Sequence, residues 1–202
     1  MKITVFGSTG ATGRLILDEG VRRGHAITAF ARQASALDGT AGIASVVEGD
    51  ARDPGAVAQA IAGRDAVIVT VAGRGQLDVA TAIARTVTSS MLSADVRRLV
   101  TTSSYAMVAT RPYVLAPLVR RIIRKALVDQ RGADAIIAAS ELDWTIARAT
   151  RLVNSSGQAA ARQSTELFRK GPWSLSRAAY AALLLDLAQT DAHVRETINT
   201  TG

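Results

Sequence analysis

The sequence predicts an α/β protein: a doubly wound parallel sheet with helices on both faces, in three αβα layers. Three observations predict it. Short β-branched runs alternate with longer Ala-rich stretches along the chain, the pattern of successive βαβ units. The first run passes straight into a turn with three glycines and then into a helical stretch, which is how such sheets open. At 202 residues the chain is long enough to bury roughly 70% of its unfolded surface, so it needs neither disulfide nor metal to hold a core. One domain over residues 1–202 is expected.

The elements follow in order. Lys2 to Phe6 (KITVF) reads as the first strand and Gly13 to Arg23 as the first helix. Ala26 to Ala31 (AITAFA) is the second strand and Ala44 to Val47 the third. Asp53-Pro54 starts a helix with an N-cap and a proline in the first turn, and that helix ends near Gly63. Ala66 to Val71 (AVIVTV) is a buried fourth strand, followed by a long helix from Gln76 to Ala94. Arg98 to Thr102 is the fifth strand, Leu115 to Ser140 is mostly helical, and Trp144 to Arg148 is the sixth strand. Ser176 to Gln189 is a late helix capped by Ser174 or Ser176. Between them, residues 152–173 are polar and carry Gly157 and Gly171-Pro172, which reads as an irregular lid or substrate segment. Right-handed crossovers predict the strand order 3-2-1-4-5-6.

Composition excludes several chemistries. The chain has no cysteine, so a disulfide scaffold, a thiol nucleophile and thiolate metal ligation are ruled out. His25 and His193 lie far apart, and no metal is expected. No apolar run approaches the ~20 residues of a membrane span. The opening residues reach the glycine turn without the apolar region of a secretory signal, so the cytoplasm is the expected compartment. The net charge is +7, with 21 Arg and three Lys spread along the chain in no long run. With only 4% aromatic residues there is no base-stacking platform, and a solvated basic surface is expected rather than a nucleic-acid or membrane partner. The stretch from Leu118 to Lys125 is a basic amphipathic helix, expected to bury its Ile and Val against the protein's own sheet and to solvate its Arg face.

The glycine turn carries the main functional signal. It reads Gly7-Ser8-Thr9-Gly10-Ala11-Thr12-Gly13. Gly7 permits the tight turn off the strand, Gly10 lets the backbone approach a pyrophosphate, and Gly13 allows close helix-to-strand packing. The helix amino end then offers free N–H groups, with Ala11 beside them and Thr9 and Thr12 adding hydroxyls. The site expected is therefore Rossmann-like and binds a dinucleotide. At the end of the second strand the chain reads Phe30-Ala31-Arg32-Gln33, with no acid until Asp38. An NAD site places a carboxylate there. Arg32 instead offers a fork for a 2′-phosphate, so NADP is expected, with NADPH preferred over NADH. Asp50 is a candidate acceptor for an adenine amino group, with Ala51 against the ring, or else an ordinary turn aspartate. Val71, Ala72, Gly73 and Arg74 follow the fourth strand. They are candidates for close passage of the cofactor, with Arg74 on phosphate or simply solvated.

GSTGATG at residue 7, Arg32, GDARD at 49, DAVIVTVAG at 65, LVTTSS at 99, LDWTIAR at 142 and SLSRAAYAALLLDL at 174 occur in that order. Together they resemble the atypical short-chain dehydrogenase/reductase group that binds NAD(P)H, in particular its biliverdin-IXβ reductase/flavin reductase branch. The resemblance covers nearly the whole chain. It implies a Rossmann-like domain, NADPH as cofactor, and hydride transfer to a planar acceptor such as a flavin. It also implies an active-site segment at Thr101-Thr102-Ser103-Ser104-Tyr105. There Ser103 takes the place of the family's active-site serine, and Ser103 and Ser104 are either catalytic or turn-capping residues. Three departures matter. No tyrosine is followed four places on by lysine: Tyr105, Tyr113 and Tyr180 meet Ala109, Pro117 and Leu184. The family's Arg-Pro after the sixth strand is Arg148-Ala149 here, which leaves Ala149 as the candidate cofactor contact. Arg151 stands where some members carry a histidine.

Without the Tyr/Lys pair, alcohol oxidation by that acid–base mechanism is not expected. Reduction of a flavin, quinone or similar conjugated acceptor fits better, by stacking and orientation of two rings with solvent able to supply the proton. Two rivals stay open: a non-catalytic NADP sensor of the NmrA-like kind, and a nucleotide-sugar epimerase or dehydratase. A small-molecule substrate and a monomer or homodimer are expected.

Overall fold

Strands buried on both faces must be apolar along their length, and strands exposed on one face alternate. The structure, a computed structural model, describes residues 1–71, 78–110, 121–155 and 160–202. Its central strands follow the first rule apart from Thr4, which is buried with its hydroxyl donating to the Ala60 carbonyl at 2.6 Å. β1 (Lys2–Phe6) and β4 (Ala66–Val69) are side by side, and Ile3, Val5, Phe6 and all of Ala66–Val69 are buried. Around them lie β2 (Ala26–Ala31), β3 (Ser45–Glu48), β5 (Arg98–Ser104) and β6 (Asp143–Ala149). The order β3-β2-β1-β4-β5-β6 is the predicted one, and every pairing in it is parallel.

Five helices among the described residues cover the two faces: α1 (Ala11–Arg22), α2 (Pro54–Ile61), α3 (Val79–Ser93), α4 (Arg124–Ala138) and α5 (Arg177–Gln189). On one face Ile16 and Leu17 of α1 pack with Tyr180, Leu183 and Leu184 of α5 over Ile3, Val5 and Ile27. On the other, Val57 and Ile61 of α2, Ile83 and Val87 of α3 and Ile137 of α4 cover Phe6, Val67 and Leu99. This is the three-layer αβα arrangement.

Local chemistry explains the helix starts. Asp53 accepts from Gly55 N–H at 2.9 Å with Pro54 in the first turn of α2, as predicted. Of the two serines proposed to cap α5, Ser176 does so, accepting from Ala179 N–H at 3.0 Å. α3 is capped from outside. The buried carboxylate of Asp129, on α4, accepts from Ala80 N–H at 2.8 Å and from Thr81 N–H at 3.0 Å, and also from the Thr81 hydroxyl at 2.8 Å.

The structure departs from the sequence reading at several edges. α1 begins at Ala11 rather than Gly13, which places the third glycine inside the first turn. The fourth strand stops at Val69, two residues short of the predicted end. The fifth runs two residues further, to Ser104, because β6 also lengthens, to Ala149. The two pair Ser103 with Arg148 and Ser104 with Ala149. The described part of the Leu115–Ser140 stretch is α4, and residues 111–120 lie outside the described residues. Ile122, expected to face the sheet, is 74% exposed just ahead of α4.

The described part of residues 152–173 is less irregular than expected. β7 (Arg151–Val153) pairs in parallel with β9 (Ser174–Ser176), which brackets the segment at its base. β8 (Arg162–Ser164) lies antiparallel on β10 (Glu196–Thr201), itself parallel to β6. β10 escaped the sequence reading because ETINTT has a single strongly apolar residue. Its Asn199, Thr200 and Thr201 are nonetheless buried between β6 and β8.

The external cap on α3 yields a stability prediction. Asp129→Ala leaves the buried Ala80 amide and the half-buried Thr81 amide without their acceptor, while the Thr81 hydroxyl keeps the Asp129 backbone carbonyl, so it should lower unfolding stability by about 2 kcal/mol. Urea denaturation measures this, and an unchanged midpoint contradicts it.

Candidate functional site

The carboxyl ends of β1, β2 and β4–β6 open on one edge of the sheet, where open α/β sheets bind ligands. Each glycine of the first turn has its own physical requirement. Gly7 has a φ of +80°, and a Cβ there would meet Thr70 Oγ1 at 2.6 Å and its carbonyl oxygen at 2.9 Å. At Gly13 a Cβ would run into the Gly7 carbonyl, so the helix can lie against the turn only without one. Gly10 differs. Its backbone is extended, with φ −75° and ψ 164°, and a Cβ would meet only the Gly7 carbonyl oxygen, at 3.2 Å. Neither its conformation nor crowding within the protein strictly demands glycine there, so a closely approaching ligand is the remaining physical reason.

The turn is held rigidly from beneath. The Ser8 hydroxyl donates to the Phe30 carbonyl at 2.7 Å, and Gly10 N–H donates to the Gly7 carbonyl at 3.0 Å. The Thr70 hydroxyl donates to the Phe6 carbonyl at 3.1 Å. Ser8 was not singled out by sequence reasoning, because its burial follows from β2 passing beneath it. α1 has Gly10 as its N-cap, no side-chain cap and no acid in its first turn. α2, α3 and α5 have carboxylates or hydroxyls at that end, whereas α1, like α4, has none, and α1 presents its unneutralised N–H groups and the positive end of its dipole beside the glycine turn. Thr9 and Ala11 are exposed and Thr12 half-buried at this mouth. The geometry fits the pyrophosphate of a dinucleotide.

Beyond the turn, Arg32 is exposed one residue past β2. Asp50 stands near it, but its oxygens are already engaged. Arg52 Nη2 approaches Asp50 Oδ2 at 2.5 Å, and the Arg52 backbone N–H donates to Oδ1 at 2.9 Å. These bonds from Arg52, helped by the charge of Arg32, hold the Asp50 carboxyl at about 2, below the usual carboxylate range. Arg52 therefore joins this end of the site, although the sequence reading passed over it. Ala51 is buried beside them. Glu48 is also engaged, accepting from Ala34 N–H at 2.7 Å. Arg14, in the first turn of α1, donates to the Ala36 carbonyl at 2.6 Å and ties the helix to the turn after β2.

At the opposite end, β5 and β6 project past β4. Ser103 is half-buried, and its hydroxyl donates to Asp134 Oδ2 on α4 at 2.7 Å. Gln130 Nε2, one turn earlier on α4, donates to Asp134 Oδ1 at 3.0 Å and to the Thr102 carbonyl at 3.3 Å. Arg148, opposite Ser103 on β6, brings Nη2 to 3.9 Å from Asp134 Oδ2, and its buried Nε has no partner. Ser104 acts as a cap: its hydroxyl oxygen accepts from Ala106 N–H at 3.3 Å. Ala149 is buried at the end of β6. Val71 is half-buried just after β4, whereas Ala72, Gly73 and Arg74 lie outside the described residues.

The described tyrosines are both committed elsewhere. The Tyr105 hydroxyl oxygen accepts from Phe168 N–H at 3.0 Å, and its ring packs with Phe168 and Trp173. Tyr180 is buried and donates to the Ala147 carbonyl at 2.6 Å. Trp144 belongs to the core, and Trp173 packs against the Tyr105 ring. Among the described residues, no helix is long and apolar enough to cross a membrane.

Comparison with known proteins agrees with this architecture. Residues 7–191 match the NAD(P)H-binding family. A short-chain dehydrogenase/reductase from Veillonella parvula DSM 2008, solved in complex with NADP, superposes with a TM-score of 0.85 at 19% identity, covering 100% of this chain and 94% of the other. ChuY, an anaerobillin reductase from Escherichia coli O157:H7, superposes with a TM-score of 0.84 at 21% identity, covering 100% and 97%. A putative NAD-dependent epimerase/dehydratase from Bacillus halodurans gives a TM-score of 0.83 at 21% identity, covering 100% and 94%. The chain belongs to the NAD(P)H-binding family, built on the Rossmann-like fold of short-chain dehydrogenases/reductases.

Proposed function

We propose that the protein is an NADPH-dependent reductase that acts on a flavin, a quinone or a similar conjugated small molecule. The observation that carries this reading is the open amino end of α1 behind a glycine turn, with the guanidinium of Arg32 at the end of β2. The backbone N–H groups of Ala11, Thr12 and Gly13 would hold the diphosphate, with Thr9 and Thr12 beside it. Arg32 would take the 2′-phosphate, with Arg52 adding positive charge there while it occupies Asp50. Ala51 would support the adenine. Val71, Ala72, Gly73 and Arg74 would flank the cofactor's course toward Thr102, Ser103 and Ala149. NADPH bound in this way supplies a hydride at its nicotinamide.

The residues present set what the protein must do with that hydride. Neither described tyrosine is followed four places on by lysine, so the Tyr/Lys pair that does acid–base work on an alcohol is lacking among the described residues. A conjugated ring system needs chiefly a surface to lie against and a fixed orientation, which Ser103 and the ends of β5 and β6 would provide. The NADP complex and the anaerobillin reductase among the structural neighbours support this reading. The protein would work as a monomer or homodimer on a small-molecule substrate. The second reading, a non-catalytic NADP sensor, is favoured by the same lack of a Tyr/Lys pair.

Two experiments separate these readings. NADPH oxidation is followed with FMN, FAD and menadione as acceptors. Steady turnover with at least one is expected, whereas tight NADPH binding without turnover across the panel favours the sensor. Arg32→Ala should raise the Kd for NADPH at least about tenfold, the loss of one charge-assisted contact, and leave that for NADH nearly unchanged. Equal losses for the two nucleotides would remove the case for NADP.

A further inference from the structure

The described residues contain two buried carboxyl groups on α4, five residues apart, and their surroundings differ. Asp129 accepts from two fixed backbone amides and a hydroxyl, a fully used acceptor that caps α3. Asp134 is only 7% exposed and receives no backbone amide. Its contacts are the Ser103 hydroxyl at 2.7 Å, the Gln130 amide at 3.0 Å and the Arg148 guanidinium at 3.9 Å. Ser103 is the one hydroxyl in this set, and it stands at the candidate site. A carboxyl group whose one hydroxyl neighbour stands at the site is connected to that site through that hydroxyl.

We infer that Asp134 is a proton store for the acceptor, acting through Ser103. The inference rests on the reductase reading above. Two-electron reduction of a conjugated acceptor consumes one hydride, supplied by NADPH, and one proton. With a proton on Asp134 the hydrogen bond reverses: the carboxyl O–H donates to Ser103 Oγ, and the Ser103 hydrogen is free to point at the acceptor. As negative charge develops on the acceptor, the Ser103 O–H bond breaks and a new bond to hydrogen forms on the acceptor's nitrogen or oxygen. The Asp134 O–H bond breaks in turn and restores the serine hydroxyl. Asp134 is left as a carboxylate beside Arg148, and a water proton returns by the same path after product leaves. Asp134 touches neither cofactor nor acceptor, so it is a positioning residue for Ser103.

The surroundings suit a stored proton. Burial pushes the Asp134 carboxyl above its ordinary range, against the hydrogen bonds of Gln130 and Ser103 and the charge of Arg148. The other titratable group facing it is Tyr180 on α5, which burial keeps protonated and whose hydroxyl is committed to the Ala147 carbonyl. Arg148, from β6, stabilises the carboxylate once the proton has left, so the store can both empty and refill. His25 and His193 cannot substitute. His25 lies beside Met1 at the amino end of the sheet, and His193 pairs with Glu196 at the start of β10.

Asp134→Asn keeps the shape and removes the proton. In the wild-type protein, turnover should fall as pH rises through the raised carboxyl value, because the proton is then absent. In Asp134→Asn that limb should vanish and the plateau should drop about 100-fold, the low end of what a positioned acid contributes. Ser103→Ala should cut turnover similarly while keeping Asp134 intact, and so covers the case of an Asn variant that fails to fold. A readout independent of turnover is the infrared band of a protonated carboxyl. In the wild type and in Ser103→Ala it should persist to a higher pH than for a solvent-exposed aspartate, and it should be absent in Asp134→Asn. An unchanged pH profile in Asp134→Asn, or no such band in the wild type, overturns the proposal. If the wild type turns over no acceptor while the band is present, the reductase reading fails and takes the proton's destination with it, yet Asp134 still holds a proton.

Discussion

The amino end of α1 is the constraint around which this molecule is arranged. A helix start carries about half a positive charge and several N–H groups with no intrahelical partner. Most helix starts here meet that need internally, through Asp53 for α2, Asp129 for α3 and Ser176 for α5. At α1 the N-cap is Gly10 and no side chain answers. The helix is nonetheless pressed hard against β1, since a single methyl at Gly13 would collide with the Gly7 carbonyl. Ser8 and Thr70 hold the turn from below. The protein therefore fixes an unsatisfied donor set in place, a preorganised anion site whose ordering cost was met during folding.

The rest of the sheet edge is read outward from that point. Parallel strands bring their carboxyl ends to one edge, so residues just past β2 and β3 and the last paired residues of β5 and β6 reach that edge despite wide separation in sequence. At one end this collects Arg32, Asp50 and Arg52, positive charge around a carboxylate that is already satisfied. At the other it collects Ser103, Gln130, Asp134 and Arg148, a half-buried hydroxyl backed by a buried acid. The first arrangement suits an anionic group from solvent. The second suits controlled movement of a proton.

Much of this was legible in the sequence, and the reasons are specific. The three glycines could be read because their spacing falls within seven residues between a strand and a helix, although the reasons for them differ: Gly13 must clear the Gly7 carbonyl and Gly7 must clear Thr70, whereas Gly10 is not demanded by its own backbone. The central strands could be read because burial on both faces leaves them mostly apolar, with a buried polar residue such as Thr4 donating to the Ala60 carbonyl. Asp53 and Ser176 were legible as caps because a cap acts on its own helix. What escaped was set by distant packing. β10 is polar in composition and becomes a strand only because β6 and β8 cover it. The extension of β5 to Ser104 depends on β6 lengthening beside it. Asp134 lies 31 residues from Ser103, and nothing in the local pattern distinguishes it from Asp129, which caps a different helix. Arg52 was hidden for another reason, since one arginine in a chain with 21 carries little information until its partner is known.

The central claim is that the amino end of α1 holds a dinucleotide diphosphate. The most direct measurement is a titration of isotope-labelled protein with NADP⁺, following backbone amide resonances. The account predicts that the largest shifts fall on Ala11, Thr12 and Gly13, with a second group at Arg32 and its neighbours. Saturable binding whose shifts leave the α1 amides unmoved, or no shift at any nucleotide concentration, would contradict it.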